Sequence, residues 1–303
     1  MTGELHSGAA VACANIALAK YWGKLEGSDN LTAVPSLSLT LDALRTMTRV
    51  TFDPLLSQDA VALDGVAVQG RALARVSVLL QRVRHLAKVE LFARVESKNS
   101  FPTASGLASS ASGFAALVVA AAQALGLELA EEVLSSLART ASASAARSLF
   151  GGFAALGAGA QAAERVASGA HFPVCMLVCV TDLSPKAVSS TDGMRHTAST
   201  SPYYERWVSE SPALFDRVKQ AVLERDFENL GIATEESALL MHACMMAARP
   251  TLLYWTPATL EVIRNVRALR EQGTAVFFTV DAGPHVKVLC LPDTADRVKH
   301  ALA

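Results

Sequence analysis

An aspartate stands at the end of an apolar run and directly before a turn in AVFFTVDAGPHV, residues 275–286. A carboxylate in that place, Asp281, lies at the mouth of a core, where burial and neighbouring cations tune its hold on a proton. It can also simply cap the turn, as aspartate often does before Gly-Pro. Cations that such a carboxylate could work with occur in KYWGK, where Lys20 and Lys24 sit four apart around Tyr21 and Trp22. They suit a substrate bearing phosphate or carboxylate, or they are surface lysines beside an edge aromatic. A third cation, Arg147, lies in SASAARSLFGG with Ser142 and Ser144, among alanines. An unpaired buried cation is costly, and the planar guanidinium fork matches a carboxylate or phosphate in two parallel bonds. An internal ion pair would satisfy it equally well.

The stretch NSFPTASGLASSASG, residues 99–113, leads into the Ala-rich FAALVVAAAQALG. Pro102 donates no hydrogen bond, and Gly106 tolerates backbone angles that other residues resist. A sharply bent loop entering a helix exposes successive N–H groups and the positive end of the helix dipole, an anion site. Ser109 and Ser110 add hydroxyls for phosphate oxygens or a magnesium ion, or else cap the helix themselves. No Gly-Lys-Ser/Thr triplet is present, so this is not a Walker loop. SPKAVSSTDGM, residues 184–194, sets Lys186, Ser189 and Ser190 in what reads as a polar loop after a strand.

The elements that must position these groups are partly visible. TRVTF alternates as a strand does, and VALDGVAVQG reads as a hairpin turning at Asp64-Gly65. RALARVSVLLQRVRHLA predicts a helix and VELFARVES a strand. The Ala-rich helix ends near Gly126, and two further helices stop at Gly151-Gly152. FPVCMLVCVTD predicts a strand opening a second half. Helices follow from Pro202 to about Arg249 and over TPATLEVIRNVRALREQG, then AVFFTV, the DAGP turn, HVKVLCL and a last helix. Without strict β-α alternation the expected class is α+β. No solenoid period or low-complexity linker is found.

Composition narrows the function. The 303 residues are half apolar, enough for a substantial core, and 27 basic against 28 acidic residues leave a net charge of −1. That balance, with no basic stripe, argues against a nucleic-acid partner. Cys13, Cys175, Cys179, Cys244 and Cys290 are odd in number and scattered, which fits a reducing cytoplasm. MTGELHSGAA lacks the positive region of a signal peptide. The uncharged window Asn99–Leu127 is long enough to span a bilayer, but its Pro, Gly, Ser and Ala residues insert poorly. No membrane partner is expected.

Six strings taken in order, NIALAKYWGK, NSFPTASGLASSASG, SAARSLFGG, KAVSSTDGM, MHA (241–243) and FTVDAGPHVKVL, resemble the diphosphomevalonate decarboxylases across nearly the whole chain. These belong to the GHMP kinase superfamily, whose phosphate loop residues 99–113 resemble; KYWGK and DAGP resemble the decarboxylase branch in particular. The resemblance implies an N-terminal ribosomal-S5-like domain over residues 1–172, carrying the phosphate-binding loop, and a ferredoxin-like C-terminal domain over 173–303, with the site in the cleft between. It implies ATP-dependent conversion of mevalonate 5-diphosphate to isopentenyl diphosphate with loss of phosphate and carbon dioxide, ATP and Mg²⁺ being required. Asp281 would then orient or deprotonate the C3 hydroxyl, Lys20 would keep Asp281 ionised, and Arg147 would grip the substrate carboxylate. Tyr21, Lys24, Ser142 and Ser144 would hold substrate. Gly106, Ser109, Ser110, Lys186 and Ser189 would hold ATP, Ser109 and Ser110 with the metal. A cytoplasmic homodimer is the implied assembly.

Several positions depart from the family pattern. His285 follows the DAGP turn where many relatives have Asn, and Thr191 stands where some bacterial relatives carry an Arg that helps bind the diphosphate. LTAVPSLSLTL lacks a polar pair that many relatives have. These leave mevalonate 5-phosphate open as the substrate. A kinase that stops after phosphorylating the 3-hydroxyl is a second alternative, against which the joint presence of Asp281 and Lys20 counts. A catalytically dead ligand sensor is a third, opposed by the intact acid, cations and loop. His242 and His285, with apolar neighbours, are read as structural histidines.

Overall fold

Small residues allow a close approach of strand and helix in the first half of the chain. Strand β1 (His6–Ala19) is alanine-rich, yet it pairs antiparallel with β2 (Ser36–Asp53) from His6↔Phe52 to Ala19↔Leu37. Alanine favours helices, and here the pairing partner overrides that preference. Helix α2 (Ser109–Ala124) lies on this strand so closely that a Cβ on Gly8 would come within 2.3 Å of the Ala120 carbonyl oxygen. Alanines on both surfaces allow two backbones to meet.

The structure is a computed structural model that describes residues 5–101, 109–182, 184 and 187–303. Strands β3 (Ala60–Leu63) and β4 (Val66–Ala67) form the expected hairpin, Asp64 and Gly65 both having positive φ (51° and 81°) as its tight turn demands. Helix α1 (Gly70–Ala87) and β5 (Phe92–Asn99) follow. After α2 come α3 (Glu131–Ala141) and a 3₁₀ segment, Ala143–Leu149, then β6 (Phe153–Leu156) and β7 (Glu164–Ala167). The larger sheet runs β4-β3-β5-β2-β6-β7 with β1 along the other side of β2. The second half comprises β8 (Cys175–Cys179), helices α4 (Ser190–Thr200), α5 (Tyr204–Glu224), α6 (Phe227–Met246) and α7 (Pro257–Glu271), strands β9 (Val276–Val280) and β10 (Val286–Cys290), and α8 (Ala295–Leu302). Its antiparallel sheet has the order β8-β10-β9. The class is α+β, as expected.

The residues expected as a polar loop at 184–194 instead enter a helix at Ser190, because Ser189 caps it: its hydroxyl accepts from the Asp192 N–H and donates to the Asp192 carboxylate at 2.6 Å. Helix α2 has 16 residues, and among the described residues no helix is long and apolar enough to cross a membrane.

Three cores hold these layers. Val50, Phe52, Leu79, Val83 and Leu117 fill the space between the large sheet and helices α1 and α2. Val266, Leu269, Val280 and Val288 do the same between the small sheet and α7. Between the two sheets, Ile16, Leu39 and Phe153 meet Val218, Leu230, Phe277 and Leu289 through α5 and α6. Each such side chain contributes about 1.5–3 kcal/mol when fully buried, so this shared core fixes the facing edges of both sheets, where the site lies.

Candidate active site

The end of β1 delivers the lysine, and the end of β9 delivers the aspartate. Register shifts in β1, the second between Ala17 and Ala19, bend the strand just before Lys20. The Lys20 backbone N–H is then held by the Ser237 hydroxyl of α6 at 2.9 Å. Lys20 Nζ lies 2.5 Å from Asp281 Oδ1, and the lysine is almost wholly buried while the aspartate side chain retains 26 % exposure. The turn after Asp281 is pinned from several sides. The Gly283 N–H bonds back to the Asp281 carbonyl, and the Thr181 and Thr259 hydroxyls both donate to the Pro284 carbonyl.

Burial raises the Asp281 carboxyl, but the ammonium groups of Lys20 and Lys287 outweigh it and hold the group well below the usual carboxylate range. Burial pulls the Lys20 ammonium down to about 8 against the attraction of Asp281, with Lys287 and Arg147 adding to the lowering. His242 is buried, donates Nε2–H to the Val280 carbonyl at 3.2 Å and packs its ring 4.9 Å from that of Trp255. Burial pulls its proton affinity down to about 3, so it is a neutral structural histidine at physiological pH. His285 is also buried, and its Nδ1 accepts the Thr181 N–H. Both serve the backbone around Asp281, as the sequence suggested.

Arg147 is the second feature of the site. It is 2 % exposed, and its guanidinium donates to the hydroxyls of Ser36 (2.5 Å) and Ser38 (3.0 Å) on β2. Among the described residues no carboxylate lies within ion-pair distance of it. Burial pulls it down to about 10, so it remains charged at neutral pH. The 3₁₀ segment that carries it is fastened to β1 by Asn15, whose amide donates to the Ser144 carbonyl (2.9 Å) and the Ser148 hydroxyl (2.8 Å). Ser142 and Ser144 face each other at 3.2 Å between their hydroxyl oxygens. The Tyr21 hydroxyl is buried without a hydrogen-bond partner among the described residues, and burial raises its proton affinity far above that of an exposed tyrosine. A buried arginine with no carboxylate partner among the described residues, beside a buried tyrosine hydroxyl, has spare hydrogen-bonding capacity for a polar, negatively charged group.

Lys24 extends the positive surface outward. Its ammonium bonds to Asn30 Oδ1 (2.6 Å) and Thr191 Oγ1 (3.1 Å), both neutral acceptors. Burial, then Arg75, Arg195 and Arg71, lower it to about 8. Arg75 also lines a cavity of about 220 Å³ at the start of α2, together with Ser109, Ser110, Asn99, Val61 and Leu63. A larger, shallow groove of about 640 Å³ along α6 contains none of these groups.

The structure therefore groups Lys20, Asp281, Arg147 and Tyr21 electrostatically, with Lys24 beyond them. Ser109 and Ser110 lie at the neighbouring cavity, and Ser189 is occupied in capping α4. Gly106 and Lys186 lie outside the described residues. Sequence reasoning missed Lys287, Ser36, Ser38 and Asn15 as parts of the site. The available signals were a lysine inside an apolar strand and serines alternating with leucines.

The family model for the diphosphomevalonate decarboxylase-like N-terminal domain matches residues 12–167, and that for the mevalonate 5-diphosphate decarboxylase C-terminal domain matches residues 176–303. A diphosphomevalonate decarboxylase of Candida albicans is 33% identical over 97% of this chain and 87% of its own length. A phosphomevalonate decarboxylase of Haloferax volcanii is 31% identical over 94% of this chain and 89% of its own. The solved structure of MDDEF in complex with MVAPP, AMPPCP and magnesium superposes with a TM-score of 0.92 at 41% identity, covering 99% of this chain and 93% of that one. With matches that span both halves and a site built from the residues those halves share, the chain belongs to the diphosphomevalonate decarboxylase family.

Proposed function

We propose that the protein catalyses the ATP-dependent decarboxylation of mevalonate 5-diphosphate to isopentenyl diphosphate, releasing ADP, phosphate and carbon dioxide. The observation that carries this reading is the pairing of one partly buried, ionised carboxylate with a cluster of cations that have spare capacity for anions. Decarboxylative elimination needs that combination.

The cavity at the start of α2 fits a nucleotide: Val61 and Leu63 offer apolar walls for a flat base, and hydroxyls, a helix N-terminus and Arg75 stand at one end for phosphates. Ser109 and Ser110, with Gly106, Lys186 and Ser189, are the residues that would hold ATP, the two first-named serines reaching magnesium. When bound, ATP supplies the phosphoryl group that turns a tertiary alcohol into a group able to leave, and magnesium neutralises phosphate charge.

The protein's own residues do the remainder. Asp281 accepts a hydrogen bond from the C3 hydroxyl and aims its oxygen. Held so far below the usual carboxylate range, it is a weak base in the ground state and takes the proton only as that oxygen bonds to phosphorus. Lys20 keeps Asp281 ionised and steadies charge on the oxygen as it departs. Arg147 grips the substrate carboxylate in a fixed plane, so that the C–C bond to that carboxylate lies ready to break as the C–O bond to phosphate breaks. The freed electron pair forms the double bond, and carbon dioxide leaves. Tyr21, Ser142, Ser144 and Lys24 hold the rest of the substrate.

The region around Lys24 favours a diphosphate, because Arg71, Arg75 and Arg195 outnumber the one carboxylate beside them, Asp192, which lies 3.6 Å from Arg71 and 3.7 Å from Arg195. The monophosphate reading is kept alive by Thr191, a neutral partner of Lys24, and by the similarity to a phosphomevalonate decarboxylase. One experiment separates these readings. ATP is supplied with mevalonate 5-diphosphate or with the 5-phosphate, and carbon dioxide and ADP are measured together. Equal amounts of both products, faster with the diphosphate, are expected. ADP without carbon dioxide would identify a kinase, and no ADP a ligand sensor. The five thiols, free in the structure, suit a reducing cytoplasm, and we take the working unit to be a homodimer with domains over 1–172 and 173–303.

The lysines give a pH prediction. Lys20 and Lys24 act as cations, and each is lowered to about 8. The required forms are present below that pH and are lost as pH rises through it, so kcat/KM falls with a midpoint near 8. A pH profile of kcat/KM that stays flat to pH 9.5 would count against protonated Lys20 as a catalytic requirement.

A further inference from the structure

Strand β10 reads Val-Lys-Val-Leu-Cys, and all five residues are buried. Its second residue, Lys287, occupies a position on the face shared with Leu289, which packs in the core between the two sheets. An apolar side chain is what that position calls for. Lys287 is instead fully buried, with Nζ 3.2 Å from Asp281 Oδ2 and 3.3 Å from the His285 carbonyl oxygen. Lys20 holds the other oxygen, Oδ1, at 2.5 Å. The carboxylate therefore sits between two ammonium groups, one on each oxygen.

We propose that Lys287 is a positioning residue for the reaction, holding Oδ2 of Asp281 so that the carboxylate keeps its charge and presents its remaining lone pairs to the substrate alcohol. The inference rests on the reading of Asp281 as acceptor of the C3 hydroxyl. A purely architectural role is poorly matched to the geometry. Asp281 and Lys287 flank one short turn, which Thr181, Thr259, the Gly283 N–H and His242 already fasten. Replacing a buried ion pair by packed apolar groups is often neutral or stabilising, so stability alone does not call for a lysine here. The other charged or titratable groups that influence Asp281 are Lys20 from the end of β1, Arg147 from the 3₁₀ segment and the neutral His242 from α6.

The direction of the effect is fixed. Burial pushes Asp281 up and the two ammonium groups push it down. With Lys287 gone, the proton affinity of Asp281 rises and so does that of Lys20, which Lys287 lowers, so the alkaline limb of the rate profile moves to higher pH. The test is Lys287→Met, similar in length and uncharged, measured for kcat and kcat/KM against pH with mevalonate 5-diphosphate and ATP, alongside the parent enzyme and a thermal melt. The expected result is an alkaline limb displaced upward by about one unit, equivalent to about tenfold in proton affinity. At pH 7 kcat should fall by about tenfold, with the KM for ATP within about twofold, a split that follows from losing alignment and not nucleotide binding. A profile that superposes on the parent's overturns the proposal. Failure of the parent itself to release carbon dioxide would instead overturn the decarboxylase reading.

A second measurement needs neither turnover nor a folded Lys287 variant. In Lys20→Met, ¹³C NMR of labelled aspartate follows the Asp281 carboxyl directly. With Lys287 still on Oδ2, the carboxyl stays ionised down to pH values below the usual carboxylate range. A carboxyl that titrates above that range, as burial alone dictates, shows Lys287 to contribute nothing.

Discussion

Asp281→Asn lowers kcat by about 10³-fold, within the span of general acid–base effects, and leaves the dissociation constant for ATP within about twofold. The amide keeps the shape of the carboxylate but cannot take the proton of the C3 hydroxyl, and it removes the only anion beside Lys20 and Lys287 among the described residues. Two buried ammonium groups then face each other without a counter-charge. Breaking a buried pair from one side is typically destabilising by about 3–5 kcal/mol, so the variant also melts earlier, and both lysines lose protons more readily than in the parent. Turnover is measured at pH 7, well below the melting transition, and ATP binding by calorimetry. The cavity proposed for the nucleotide is lined by residues of β2, β3, β5, α1 and α2, and Asp281 is not among them, which is why binding survives. Turnover near the parent rate, or a collapse of ATP binding in a folded variant, would remove Asp281 from the chemistry.

What could be read in advance followed from local rules. Asp64-Gly65 turns a hairpin because both residues accept positive φ. The Thr256 hydroxyl accepting the Thr259 N–H and Pro257 in the first turn start α7 where the sequence placed it. Asp281 stands out in the sequence as a carboxylate at the end of an apolar strand, although capping the turn before Gly-Pro is a competing reading there. What stayed hidden depends on partners distant in sequence. β1 is alanine-rich and has no period of its own; only β2 on one side and α2 across its face make it a strand. In Ser36-Leu37-Ser38-Leu39 the alternation suggests a solvent-facing polar side, yet both serines are fully buried and serve Arg147 from the other end of the domain. Lys287, a lone lysine in the apolar string HVKVLCL, gains its meaning only when β9 brings Asp281 beside it. Motif reading locates the chemical groups, whereas the residues that aim them become apparent only through tertiary contacts.

Arg147 offers the sharpest separation between activity and stability. In Arg147→Met the substrate carboxylate loses its bidentate partner, and kcat/KM for mevalonate 5-diphosphate falls about 10²–10³-fold, the scale of truncating one partner of a buried charged hydrogen bond (about 2–5 kcal/mol). The folded protein without substrate gains in one respect, since a buried cation held, among the described residues, by two serine hydroxyls is relieved of its desolvation. It suffers in another, because Ser36 and Ser38 are left as buried hydroxyls without their donor, at about 1–3 kcal/mol each. Changing all three together, Arg147→Met with Ser36→Ala and Ser38→Ala, removes that second effect, and the triple variant melts at or above the temperature of the parent. Substrate should also raise the melting temperature of the parent more than that of either variant, since only the parent gains an anion for its guanidinium. A triple variant that is both inactive and much less stable than the parent would assign Arg147 to architecture. A stable, inactive one whose melting no longer responds to substrate assigns it to the ligand, because the guanidinium is then seen to destabilise the empty protein and to be compensated when a carboxylate arrives.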